Sequence, residues 1–391
     1  MILVGIDVAK EKHDCCIINS EGEVLTQPFT ISNDRDGFNR LLQEIWSHAT
    51  KSDKIKVGLE ATGHYSYNIL GFLLSTGLPT YVINPLHTNL YRKSLTLRKT
   101  KTDQIDAKTI ATMLLSDVGL KPYTDLAYHN EELKSLTRYR FEKIQDRSRL
   151  RQTFTRLVTI LFPEFEKLVP SLHMVSVYAM FREFPGACQI AHAHLKHLTN
   201  VLSKNSRGRY SHEKALEFRN AAAQSIGSHK VAESLELQHT IALINELNEE
   251  ISQIEEHISD ILGQYHSPML SIPGIGEMTC ATILAEIGDF SNFSSPDKIL
   301  AFAGMSPSTY QSGQLQNCYA HMEKRGSKYL RYALFTAARC VCNFNPVFSA
   351  YLSKKRAEGK HYNVALSHVS KKLVRLIFAL EKTQQTYKAA I

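Results

Sequence analysis

The feature that most constrains the fold is the order of strand and helix patterns in the first 116 residues. Three short runs rich in apolar and β-branched residues come first, and helical periodicity then alternates with two further runs. The predicted strands lie at residues 2–6, 14–18, 24–31, 56–60 and 80–84, and the predicted helices at 36–50, 67–75 and 102–116. This order predicts an α/β domain built on a mixed sheet of five strands, as in the RNase H-like fold.

From residue 131 onward the strand patterns cease, and the chain is predicted to be helical. A long helix rich in Arg and Lys is expected at 131–162. A seven-residue repeat follows, with Leu237, Ile244, Ile251 and Ile258 in one heptad position and Leu247, Ile254 and Ile261 in the other. This repeat predicts a coiled-coil helix, whose partner is either the 131–162 helix of the same chain or a second subunit.

Three domains follow from these patterns. We expect an RNase H-like α/β domain at 1–125, a helical coiled-coil domain at 126–265 and an all-helical domain at 266–391. Residues 165–230 fit no pattern with a known role and are interpreted as an insertion.

The charge is unevenly distributed, which points to a polyanionic partner. The net charge is +8. Residues 86–160 carry 15 Lys and Arg against 8 Asp and Glu, and residues 320–391 carry 14 against 3. Residues 231–262 carry 8 acidic residues and neither Lys nor Arg. Nucleic acid is the first partner that such basic stretches indicate, although solvated helix faces would also account for each of them.

Composition argues against several other classes of protein. No apolar run reaches the roughly 18 residues that a membrane span needs. The seven cysteines include no CxxC pair, which disfavours a zinc site or a disulfide framework. No phosphate-binding GxxxxGK[ST] loop is present, which disfavours a nucleoside triphosphatase. A reduced cytoplasmic protein is expected.

Four acidic residues stand where the predicted elements can bring them together. Asp7 and Glu60 end two predicted strands, and Asp103 and Asp106 lie three residues apart on a predicted helix. If the two strands are parallel neighbours, both carboxylates emerge at one sheet edge, and the i, i+3 pair shares a helix face. Such a cluster is costly unless metal neutralises it, and hard oxygen ligands select Mg²⁺ or Mn²⁺. Helix capping is the simpler interpretation of Asp7 or Asp103 taken alone.

The motifs around these residues resemble the DEDD transposases of the IS110 family, whose relatives include the Piv DNA invertase. They are GIDVAK at 5–10, LEATGHY at 59–65, NP at 84–85 and KTDQIDA at 101–107. The C-terminal motifs IPGIG at 272–276, FAG at 302–304, QSG at 311–313 and KRGSKYLR at 324–331 resemble the second domain of that family. The resemblance extends from residue 2 to about residue 380, and both sets of motifs occur in the family's order.

Membership of this family would imply a RuvC-type domain whose metal-binding quartet is Asp7, Glu60, Asp103 and Asp106. It would also imply a nucleophilic serine in the second domain that links covalently to a DNA end, oligomeric assembly, and guidance by a structured bridge RNA. The motif match assigns the serine to Ser312. Ser306, Ser308 and Ser327 are nearby alternatives, and Glu323 departs from the small or neutral residue expected before Lys324.

Basic residues near these motifs are candidate nucleic-acid contacts. They are Arg98, Lys99 and Lys101 before the Asp103 motif, Arg147 and Arg151 on the long helix, and Lys324, Arg325, Lys328 and Arg331 after the serine.

The residues and the resemblance together predict a metal-dependent transposase or recombinase that acts on donor and target DNA without membrane association. The resemblance implies that a structured RNA guides the protein and that it works as a homo-oligomer. Two alternatives stay open. One is a nuclease like the Holliday-junction resolvases, with water as the nucleophile and no covalent intermediate. The other is a nucleic-acid-binding protein with a degenerate RNase H-like core.

Overall fold

The computed structural model describes residues 1–50, 53–61, 63–95, 103–116, 120–123, 125–307, 311–312, 315–316 and 322–388. It separates into two compact units, residues 1–129 and 130–391. The division into three domains, with boundaries at 125 and 265, stays a prediction.

The first unit is an α/β domain. Its strands are β1 (Ile2–Val8), β2 (Lys12–Asn19), β3 (Val24–Ser32), β4 (Ile55–Glu60) and β5 (Thr80–Ile83). Its helices are α1 (Arg35–His48), α2 (Ser66–Ser75), α3 (Pro85–Leu95) and α4 (Asp103–Leu115). The five strands lie in the order β3-β2-β1-β4-β5. β1, β2 and β3 are antiparallel neighbours, whereas β1, β4 and β5 run parallel. The predicted mixed sheet of RNase H-like type is confirmed.

Alternating side chains of this sheet enter two separate cores. One face packs against α1 and α2, with Val4 and Ile6 of β1 meeting Leu41 and Leu73. The opposite face packs against α4, with Leu3 and Cys16 meeting Ala111. The strand period of two therefore decides which residues face α4.

The second unit is mainly helical. Its helices are α5 (Asp125–Leu161), α6 (Val175–Glu183), α7 (Ala187–His192), α8 (Leu195–Asn205), α9 (His212–Ala223), α10 (Val231–Leu262), α11 (Glu277–Ile287), α12 (Pro296–Phe302), α13 (Lys328–Phe344), α14 (Pro346–Ala357) and α15 (Tyr362–Thr383). One core joins the C-terminal part of α5 to α6–α9 and the start of α10. A second core joins the end of α10 to α11–α15.

The helix with the predicted heptad repeat, α10, lies antiparallel to α5 of the same chain. Arg140 contacts Glu255 at 2.6 Å, and Arg156 contacts Glu236 at 2.7 Å, so the sequence numbers rise in opposite directions along the two helices. Leu237, Ile244 and Ile258 are buried. The in-chain partner was one of the two arrangements that the sequence left open.

The third predicted domain is not entirely helical. Two short strands, β6 (Gln311–Ser312) and β7 (Leu315–Gln316), pair antiparallel in the register Gln311↔Gln316 and Ser312↔Leu315. The expectation that no strand follows residue 131 is wrong at this point. Two residues separate β6 from β7 in the sequence, and the first of them is Gly313. Glycine at this position is typical of two-residue hairpin connections, and this signal was missed.

Within the described parts of the chain, no helix combines the length and the apolar character that crossing a bilayer requires.

Candidate active site

Two facing glycines allow α4 to approach the sheet closely. Gly5 of β1 and Gly58 of β4 are register partners in the parallel pair. A Cβ at Gly5 would lie 2.1 Å from the carbonyl oxygen of Ala107, and one at Gly58 would lie 3.0 Å from Ile110. Because real Cβ atoms do not approach a carbonyl oxygen so closely, glycine at position 5 is what lets α4 lie on β1.

The alternation of side chains along β1 and β4 directs the carboxylates of Asp7 and Glu60 toward α4. Asp7 and Glu60 each follow a helix-facing glycine by two residues, so both share the face that α4 covers. Ala107 of α4 contacts the strand at Gly5, and the first turn of α4 therefore lies at the carboxyl end of β1. That first turn carries Asp103 and Asp106.

The four predicted carboxylates interact electrostatically. Burial, followed by the negative charges of Glu60, Asp106 and Asp103, raises the pKa of Asp7 from 3.8 to about 7. Asp7 and Glu60 are half-buried, Asp106 is buried and Asp103 is exposed. Desolvation and like charge both disfavour an ionised carboxylate, so the arrangement is electrostatically strained without a cation.

Asp106 has a protein cation beside it. Arg92 of α3 donates from Nη1 to Asp106 Oδ1 at 3.0 Å, and the side chains retain 21% and 8% of their exposure. Sequence reasoning did not identify this pairing. The ion pair joins α3 to α4, and such a long-range side-chain partner cannot be read from local spacing.

The four carboxylates of the quartet are not gathered around one common point. Across the described ranges, no three His, Cys, Asp or Glu side chains are gathered closely enough to hold an ion as they stand. The donor set itself fits a hard divalent cation, because it is composed of carboxylate oxygens.

The candidate serine belongs to the second unit. The backbone of Ser312 ends β6, directly before the two residues that connect β6 to β7. Of the alternatives, Ser308 lies outside the described residues. The Ser327 hydroxyl donates to Glu286 Oε2 at 2.6 Å and accepts from the backbone N–H of Leu330 at 3.1 Å, where it caps α13. The Ser327 hydroxyl therefore has a structural role as the cap of α13.

The basic residues of α5 are largely engaged by the acidic helix α10. Lys143 contacts Glu250, in addition to the Arg140 and Arg156 pairs. Arg147 donates to Asn248 at 2.8 Å, and Arg151 is half-buried. The positive charge of α5 is thus compensated by α10 within the same chain. Counting the charges of each helix separately did not reveal this pairing.

The basic segment before α13 is arranged differently. Lys324 and Arg325 are exposed, and Lys324 has a positive φ of 53°. The Arg331 guanidinium donates to the carbonyl oxygens of Ala303 at 2.8 Å and of Lys324 at 3.3 Å. Lys328 contacts Glu142 at 3.2 Å. Arg331 thus braces the loop that exposes Lys324 and Arg325, whereas Arg98, Lys99 and Lys101 lie outside the described residues.

Two family models match the chain. The first, a transposase model for DEDD transposases of IS110, matches residues 4–163, and the second, described as the transposase IS116/IS110/IS902 family, matches residues 266–353. Together they span 248 of the 391 residues and leave residues 1–3, 164–265 and 354–391 unmatched.

Several full-length relatives are similar to the chain. The pilin gene-inverting protein of Moraxella lacunata is 24% identical, covering 99% of this chain and 98% of the relative. The mini-circle putative transposase for IS117 of Streptomyces coelicolor is 24% identical, covering 99% and 95%. The transposase for insertion sequence element IS1111A of Coxiella burnetii is 23% identical, covering 99% and 91%.

Among solved structures, T. thermophilus RuvC in complex with a Holliday junction substrate aligns with 32% of this chain and 99% of its own, at 14% identity and a TM-score of 0.24. The RNase H-like assignment made above depends on strand order and direction instead.

The sheet and the two family models define the class of protein, which is a DNA transposase or recombinase with an RNase H-like domain. The chain belongs to the IS110 family of DEDD transposases. The resemblance inferred from the sequence motifs is thereby confirmed, and membership of a DEDD family implies dependence on a divalent metal ion.

Proposed function

We propose that this transposase cleaves and rejoins DNA with Mg²⁺ held by Asp7, Glu60, Asp103 and Asp106 and with Ser312 as nucleophile. The observation that carries the metal assignment is the placement of Asp7, Glu60 and the first turn of α4 at one end of the β1–β4 pair. Burial there, together with the charges of Glu60, Asp106, Asp103 and Asp14, raises the pKa of Asp7. Four oxygen-donor side chains from β1, β4 and α4 that repel one another are suited to a small divalent cation. Mn²⁺ has similar ligand preferences and is expected to substitute.

The protein groups of this site have separate tasks. Asp7, with a pKa of about 7, exchanges a proton readily near neutral pH until a cation neutralises its surroundings. Arg92 holds Asp106 on the α3 side of the first turn of α4. When bound, the divalent ion supplies positive charge that stabilises the pentavalent phosphate transition state.

Cleavage follows as a transesterification. The Ser312 hydroxyl loses its proton to a carboxylate, and its oxygen forms a bond to the scissile phosphorus. The bond from phosphorus to one deoxyribose oxygen breaks, and that oxygen leaves as a hydroxyl after gaining a proton. One phosphodiester is exchanged for another, so the DNA can be rejoined by the reverse reaction without an external energy source.

The substrates that we propose are the donor and target DNA of a mobile element, with a structured guide RNA selecting the sequences. The net charge of +8 and the exposed Lys324 and Arg325 support binding of nucleic acid phosphates. Lys328 and Arg331 support that loop from within the protein. We propose a homo-oligomer in which the carboxylates of one subunit work with Ser312 of another.

A plasmid excision assay tests the catalytic residues. Asp7→Ala and Ser312→Ala should each abolish excision, whereas Ser327→Ala, at a hydroxyl that caps α13, should retain the reaction. If Ser312→Ala remains fully active while Asp7→Ala does not, the serine assignment is wrong.

A covalent product distinguishes the proposed mechanism from hydrolysis. The wild-type protein incubated with labelled DNA and Mg²⁺ should yield a denaturation-resistant adduct that Ser312→Ala does not form. Cleavage without any adduct would favour water as the nucleophile, as in a junction-resolving nuclease.

A further inference from the structure

A fifth carboxylate, which the motif match does not include, lies beside the quartet. Asp14 of β2 is the direct cross-strand partner of Asp7 in the antiparallel β1–β2 pair. Directly opposed residues project to the same face of a sheet, with Cβ atoms about 4.5–5.5 Å apart. Asp14 therefore neighbours Asp7 on that face.

The surrounding residues show that this is the face that α4 covers. Cys16, two residues after Asp14, packs with Ala107 and Ala111 of α4. Its cross-strand partner is Gly5, where the backbone of α4 makes its close approach. The alternation of β2 thus directs Asp14 to the side of the sheet that carries the first turn of α4, whereas His13 and Cys15 project to the other side.

Asp14 is also held in place. Its side chain is only 4% exposed. The hydroxyl of Thr30, its register partner on β3, donates to Asp14 Oδ1 at 2.6 Å. A buried acidic residue in the middle of a sheet carries a high desolvation cost, so its presence needs a compensating role. One neutral hydroxyl donor compensates only a part of that cost.

We propose that Asp14 is a positioning residue of the metal site, which increases the affinity of that site for the divalent cation by adding a negative charge beside Asp7. Thr30 orients the Asp14 carboxylate, and Asp14 acts through Asp7 and not as one of the four ligands. The inference rests on the proposed quartet, because it assigns a supporting residue to that same site. Residues that support metal ligands in this way typically change metal affinity about 10- to 100-fold.

The test is the affinity of the full-length protein for Mn²⁺, measured by calorimetry and by the enhancement of water-proton relaxation that bound Mn²⁺ produces. Asp14→Asn retains the size of the side chain and an oxygen that accepts from Thr30, but it removes the charge. We expect it to weaken Mn²⁺ binding about tenfold. Glu21→Gln removes an exposed charge from the turn at the far end of β2 and is the matched control, with binding unchanged.

A second variant keeps the proposal testable if Asp14→Asn does not fold. Thr30→Val leaves the Asp14 charge in place but removes the hydroxyl that orients it, and a several-fold loss of Mn²⁺ affinity is expected. An affinity within twofold of wild type in a folded Asp14→Asn protein, or in Thr30→Val when only that variant folds, would overturn the proposal.

Asp7→Asn separates this inference from the proposed quartet. If Asp7→Asn loses Mn²⁺ binding and Asp14→Asn does not, the quartet stands and the role of Asp14 is wrong. If Asp7→Asn binds Mn²⁺ as tightly as wild type, the proposed quartet itself fails.

Discussion

The electrostatic strain around Asp7 predicts that removing its charge stabilises the metal-free protein. Asp7→Asn keeps the shape of the side chain and removes one of the mutually repelling charges. The folded pKa of about 7 lies above the ordinary value of 3.8, so the folded state binds more protons than the unfolded state between these pH values. The stability of the wild type therefore decreases as the pH rises from about 4 to 7, and the full penalty is present above pH 7.

The size of the effect follows from the pKa shift and the exposure of the group. In a fully buried group such a shift would correspond to roughly 4 kcal/mol. Because Asp7 is half-buried, solvent screening reduces the expected gain to about 1–2 kcal/mol. For a domain of this size, that corresponds to an increase in Tm of about 2–8 °C.

Thermal unfolding followed by circular dichroism in EDTA is the assay, at pH 4 and at pH 8. Asp7→Asn should unfold at a higher temperature than wild type at pH 8 and at nearly the same temperature at pH 4. Saturating Mg²⁺ should reverse the order at pH 8, because only the wild type gains the free energy of metal binding. A variant that is less stable than wild type at pH 8 in EDTA, or a difference independent of pH, would refute the reasoning.

Three further predictions concern packing, the second unit and assembly. Gly5→Ala would place a Cβ 2.1 Å from the Ala107 carbonyl oxygen, so it should lower the free energy of unfolding by about 1–3 kcal/mol and weaken Mn²⁺ binding. Denaturant titration measures the first effect and calorimetry the second. Wild-type values in both would contradict the close approach of α4 to β1. Glu286→Gln removes a buried carboxylate that Arg138 contacts at 2.6 Å and 3.1 Å, and because Arg138 is 41% exposed the expected loss is about 1–3 kcal/mol in urea unfolding; an unchanged midpoint would show that the pair is dispensable. Mixing Asp7→Ala and Ser312→Ala subunits should restore part of the excision activity that each lacks, whereas continued inactivity of verified mixed oligomers would argue for sites completed within one chain.

The sheet was predictable because its signals are local. The apolar runs of β1 and β4 and the helical pattern of α1 are properties of short segments, and the position of each acidic residue relative to such elements can be read from the sequence. Asp7, Glu60, Asp103 and Asp106 were therefore accessible from the sequence, since each occupies the end of an element.

What the sequence did not show depends on contacts between distant segments. The pairing of Arg92 with Asp106 and the alignment of α5 with α10 require knowledge of which elements become neighbours. Asp14 begins the predicted second strand, and its position opposite Asp7 cannot be recognised until the β1–β2 register is known. The β6–β7 hairpin has only two residues in each strand, which is too short for a periodic pattern.

The most direct test of the central claim is the location of a bound divalent ion. Crystals of the protein grown with Mn²⁺ should show an anomalous scattering peak coordinated by carboxylate oxygens of Asp7, Glu60, Asp103 and Asp106. The Asp7→Asn protein should lack that peak under the same conditions. A Mn²⁺ ion bound away from β1, β4 and the first turn of α4, or one that persists unchanged in Asp7→Asn, would contradict the proposed metal site.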